Sequence, residues 1–73
     1  MNRYFASVKF VSAEGAVVAD RLDGGGRIFV SEKDAALAGE LVVSDVIECS
    51  LLPGGIGTDI LFSRRARVLA AAS

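Results

Sequence analysis

Five short runs rich in β-branched and aromatic residues, each cut off by glycine, proline or a polar turn, constrain this chain more than any other feature. They cover Tyr4 to Val11, Ala16 to Arg21, Arg27 to Val30, Val46 to Leu52 and Thr58 to Leu69. Residues of this kind suit a pleated, half-buried surface. Ser12-Ala13-Glu14-Gly15 reads as the first turn, and Asp23-Gly24-Gly25-Gly26 supplies the positive φ angles of a hairpin. Pro53-Gly54-Gly55-Ile56-Gly57 forbids regular structure and reads as a flexible loop. In the first run Ala6, Val8 and Phe10 share one parity, while Phe5 and Val11 lie on the other, so one end is expected to be covered on both faces. Strands at this spacing predict an all-β fold, a small closed five-stranded antiparallel barrel.

The only helix candidate, Glu32 to Ala38, lies between the third and fourth strands. Ser31 followed by Asp34 nearly matches a capping box, and Gly39 stands where a helix would end. So short a helix must be held by packing, and Leu37 is the expected anchor. The arginines in the second half of the fifth strand predict a bulge or an exposed edge there.

Seventy-three residues make one domain, 1–73, with 70–73 expected to fray. A chain this short buries only about 60% of its unfolded surface, so its core is thin. Cys49 is alone and there is no histidine, which excludes an intrachain disulfide and the usual zinc spacings. A lone cysteine in an apolar strand reads as a core residue and fits a reducing cytoplasm. Met1-Asn2-Arg3 leads straight into strand-like sequence, so no signal peptide is expected, and no apolar run approaches a membrane span.

Eight basic residues face nine acidic ones. All the acids lie between Glu14 and Asp59, so both ends are basic and the middle is acidic. A dedicated nucleic-acid binder is usually basic overall, and the balance here argues mildly against that role. Catalytic patterns are missing. There is no histidine base, no nucleophile elbow, and no lysine and serine or threonine after the glycine clusters to make a phosphate loop. The chain is expected to be no enzyme and to need no cofactor or metal.

Read in order, the strands resemble the cold-shock domain, an OB-type barrel. Val8-Lys9-Phe10-Val11 resembles that family's Val-Lys-Trp-Phe. Gly15 to Ala19 falls at its first RNA-binding motif, and Ile28-Phe29-Val30-Ser31-Glu32 resembles its second, Val-Phe-Val-His-Phe. Leu41 to Leu52 follows its fourth-strand pattern, and Ala66-Arg67-Val68-Leu69 resembles its closing region. The resemblance implies single-strand binding by base stacking on exposed aromatics, each worth about 1–3 kcal/mol. Yet Ala16 and Val18 stand where two of those aromatics would be, and Ser31 and Glu32 replace the His-Phe pair. Only Phe10 and Phe29 remain. Any nucleic-acid binding is therefore expected to be weak, and core packing explains the two rings slightly better than a ligand does.

Over its whole length the chain also resembles the small transcription regulators of lytic Xanthomonas phages. That resemblance implies a monomeric, non-enzymatic protein in the host cytoplasm. It would bind bacterial RNA polymerase, inhibit initiation and allow terminator read-through. Arg64, Arg65 and Arg67 lie within four residues with no acid after Asp59. Arginine offers carboxylates a rigid fork of donors, so these three are candidate partner-binding residues. Lys9, Phe10, Arg27 and Phe29 complete the candidate set.

Overall fold

The computed structural model describes residues 2–64. Arg65, Arg67 and the expected frayed tail lie outside the described residues. Five strands, β1 (Tyr4–Val11), β2 (Val17–Arg21), β3 (Arg27–Val30), β4 (Val46–Leu52) and β5 (Ile56–Arg64), close into a barrel in the order β1-β2-β3-β5-β4. The helix α1 (Glu32–Ala36) sits between β3 and β4. This is the expected small OB-like barrel. Its pairings are antiparallel except one: β3 meets β5 in parallel at Phe29 and Ile56, where the Phe29 N–H donates to the Gly55 carbonyl at 2.8 Å.

The strand alternation becomes the core directly. Ala6 and Val8 of β1, Val17 and Ala19 of β2, Ile28 and Val30 of β3, Ile47 and Cys49 of β4 and Ile60 of β5 all point inward and are buried. These side chains are small because five strands leave a narrow interior. Gly57 shows how narrow. A Cβ there would come within 2.9 Å of Ile28 Cγ2 and 3.0 Å of Val30 Cγ2. Glycine is therefore what lets β5 cross close over β3. The turn before β5 is tighter than expected. Gly54 and Gly55 hold positive φ angles of 89° and 78°, and Ile56 already belongs to the strand.

β1 departs from simple alternation. It pairs Ala6 with Arg21, Ser7 with Asp20 and Val8 with Ala19, then skips to Phe10 with Val18 and Val11 with Val17. Lys9 is the extra residue of a bulge. The slip of one residue turns Phe10 outward, away from the face of Ala6 and Val8. Phe10 is 56% exposed, which overturns its expected core parity.

Ser31 caps α1 as expected, its hydroxyl accepting from the Asp34 N–H at 3.2 Å. The helix ends two residues earlier than expected, with Leu37 as its C-cap, and Gly39 takes a φ of 86° just beyond. Leu37 does not anchor it. Ala35 is the buried residue, whereas Leu37 is 69% exposed. A five-residue helix shows one narrow face to the barrel, and Ala35 occupies it. Beyond α1, Asp45 is fully buried, and its Oδ2 accepts from the Val42 N–H at 2.9 Å. The Asp45 carbonyl accepts from the Val8 N–H at 2.8 Å, and Ser44 N–H donates to Val8 O at 2.7 Å. This loop thus binds β1 immediately before its bulge.

The register of β5 against β4 shifts twice, between Glu48 and Ser50 and between Val46 and Ile47. Asp59, with a φ of 51°, lies in the first shift. The second falls in the arginine half, as expected, and Leu61 to Arg64 are all exposed.

Candidate partner-binding face

Register alone assembles the site. Phe10 pairs with Val18, Val18 with Phe29, and Phe29 with Ile56, which in turn pairs with Leu52. Paired residues point to the same side of a sheet, so these five side chains form one stripe across five strands on the outside of the barrel. Phe29 is 47% exposed, Ile56 39% and Leu52 54%, and Val18 is half-buried between the rings. At about 4.8 Å between neighbouring strands, the stripe runs roughly 19 Å. A continuous apolar row of this length on a small protein marks a binding surface more often than scattered exposed residues do.

Charge differs on the two sides of the stripe. Two residues before Phe29 on β3 is Arg27, opposite Asp20 on β2, and the two form an exposed ion pair at 3.3 Å. Lys9, the bulge residue, is exposed beside Phe10. On the other side, past the ends of β1 and β3, Glu14 and Glu32 line one shallow hollow of about 460 Å³ together with Gly15, Gly39 and Glu40. Lys9, Glu14 and Glu32 make no ion pair among the described residues. The stripe therefore separates a mildly basic margin from an acidic one.

Of the expected partner-binding residues, the structure brings Lys9, Phe10, Arg27 and Phe29 onto this one face. Neither ring is a core residue. Arg64 lies elsewhere, at the end of β5 opposite Val46. The sequence reading missed Ile56 and Leu52, and treated Val18 only as a lost aromatic. The signal available was an isoleucine set in a proline–glycine turn, where an apolar side chain has no core to enter.

Other polar groups serve the barrel. Arg3 donates to Glu48 Oε2 at 2.8 Å, Ser50 Oγ at 3.1 Å and the Asp59 carbonyl at 2.8 Å, tying the N-terminal segment to β4 and β5. Arg21 forks onto Asp23 at 3.0 and 2.6 Å and lies 4.3 Å over the Tyr4 ring. That hydrogen-bonded pair raises the Arg21 pKa and holds the Asp23 carboxyl below its ordinary range, helped by the Gly25 N–H. Burial pushes the Cys49 thiol up, which suppresses the reactive thiolate. Among the described residues no cluster of ligating side chains could hold a metal ion, and no helix is long and apolar enough to cross a membrane.

Comparison with known proteins gives no match: no protein-family model, curated protein or solved structure resembles the chain closely enough to count as one. The fold and its outer face define the class, a small OB-like barrel with an exposed apolar stripe.

Proposed function

We propose that this chain is a non-catalytic docking module whose outer apolar stripe binds a protein partner, and that the partner is bacterial RNA polymerase. The observation that carries the docking reading is the unbroken row Phe10–Val18–Phe29–Ile56–Leu52 on the barrel surface. Aromatic and aliphatic anchors at the centre of a patch, with charge at its rim, are the usual anatomy of a protein interface. The choice of polymerase rests on the whole-length resemblance to phage transcription regulators. With no reaction to perform, the module acts by occupying a surface or by shifting an equilibrium between polymerase conformations. Either route inhibits initiation in proportion to occupancy, and terminator read-through follows if the same surface governs release.

The exposure of Phe10 and Phe29 also favours a second reading, a weak single-strand nucleic-acid binder. Two rings flanking an aliphatic residue give two stacking platforms at most, and Glu32 beyond Phe29 repels phosphate. The protein reading is preferred because three of the five stripe residues are aliphatic and cannot stack.

Binding of immobilised protein to purified polymerase, beside an oligonucleotide titration, separates the two. Saturable polymerase binding that is lost in Phe10→Thr/Phe29→Thr supports docking. Oligonucleotide binding tighter than about 1 µM with no polymerase binding selects the second reading. Failure of both removes the proposal.

A further inference from the structure

We propose that the stripe also pairs with itself, so that two copies of this chain associate face to face about a two-fold axis running along it. The inference takes from the docking reading only the exposed face, and adds a second occupant for it.

The argument is one of symmetry and charge. A two-fold axis along the stripe lays each stripe residue over its own copy and reverses every strand. Whatever lies on one side of the stripe in one protomer then meets what lies on the other side in its partner. On β3 the line runs Arg27, Phe29, then Glu32 just beyond the strand. Phe29 sits near the midpoint, so the operation places Arg27 of one protomer against Glu32 of its partner. On β1 the line runs Lys9, Phe10, then Glu14 in the turn beyond. The same operation brings Lys9 to the acidic side of its copy, where Glu14 lies. On β2, Asp20 meets the uncharged Gly15–Ala16 end of its copy, so its charge is not opposed by a like one. The β1 and β3 lines are both complementary in charge, and each contact is made twice. An axis across the stripe would instead set Arg27 against Arg27 and Glu32 against Glu32. An isologous interface needs a surface that complements itself, and only one of these two axes provides it.

The described stripe is modest. A standard interface takes about 800 Å² from each partner, and a row about 19 Å long needs its charged margins to approach that. The association is accordingly weak and salt-sensitive. Dilute protein is monomeric, and pairing appears as concentration rises. Because the same residues are covered in both states, self-pairing competes with docking and keeps the rings out of water until a partner displaces one copy.

Analytical ultracentrifugation of the full chain from about 1 µM to about 1 mM reads this directly. The expected result is a monomer–dimer equilibrium that weakens at least severalfold between low and high salt. Phe29→Thr, whose side chain is exposed and whose loss spares the core, stays monomeric throughout while keeping its far-ultraviolet spectrum. Arg27→Glu weakens pairing about tenfold or more, and Arg27→Glu with Glu32→Arg restores it. A monomer at every concentration overturns self-pairing, as does a dimer indifferent to Phe29→Thr or a charge reversal that fails to rescue. A strictly monomeric chain that still binds polymerase leaves docking intact and removes only the dimer. A dimer that binds no polymerase does the reverse.

Discussion

Phe10 stands opposite Val18, one position later than the ladder joining Val8 to Ala19 would place it. Lys9 absorbs the slip, and the consequence is exposure: a ring that alternation assigns to the core is delivered to the surface. Deleting Lys9 should close the bulge and leave Phe10 outward, opposite Val18, because it then directly follows the inward Val8. The core is untouched, so the cost should stay below about 1 kcal/mol. Urea unfolding should report that small change, with the far-ultraviolet spectrum retained; a larger loss would show that the bulge itself supports the barrel.

Gly57 is the tightest point of the barrel. In Gly57→Ala the new methyl meets Ile28 Cγ2 at 2.9 Å and Val30 Cγ2 at 3.0 Å, both on the closing strand β3. The β3–β5 pairing is confined to Phe29 and Ile56, so it gives way first. A destabilisation of about 1–3 kcal/mol is expected. Hydrogen exchange should show the Phe29 amide, bonded to Gly55, losing protection most.

Asp45 holds the loop that clasps β1. Asp45→Ala removes the acceptor of the Val42 N–H, and an orphaned polar group of this sort costs about 1–3 kcal/mol. Asp45→Asn keeps an acceptor oxygen and should cost less. Thermal melts of the two variants test the order.

Acid should loosen the β2–β3 hairpin before the rest. Asp23 has its pKa lowered by the Arg21 hydrogen bond first and the Gly25 N–H second. A group whose folded pKa lies below its unfolded value stabilises the fold above the unfolded value. That stabilisation disappears as pH falls through the folded one. The Gly25 amide, bonded to Asp23 Oδ1 at 2.8 Å, should exchange faster across that acidic window, after correction for intrinsic rates. In Asp23→Asn this pH dependence should vanish.

The strands were legible because their inward residues are apolar and their breaks carry glycine, proline or polar turn residues. β1 and β4 match the expected bounds residue for residue, and Cys49 is the core residue it reads as. Ser31 also announced the start of α1, because a cap is local chemistry, whereas Gly39 lies two residues past the C-cap Leu37. What escaped was set by register, which no local pattern records. The parity of Phe10 depends on one unpaired residue. Ile56 joins the face only because β5 meets β3 in parallel. Leu37 looked like an anchor by its size, but the narrow contact of α1 admits Ala35 instead. Among the candidate site residues, the four on β1 and β3 converge, whereas Arg64 lies at the far end of β5.

Chemical-shift mapping of isotope-labelled chain, held dilute and titrated with substoichiometric unlabelled bacterial RNA polymerase, tests the docking face most directly. Broadening should concentrate at Phe10, Val18, Phe29, Ile56 and Leu52, and spare Phe5 and Leu61 on the β1–β4–β5 side. Broadening centred on Phe5 and Leu61, or no broadening at any residue, would contradict it.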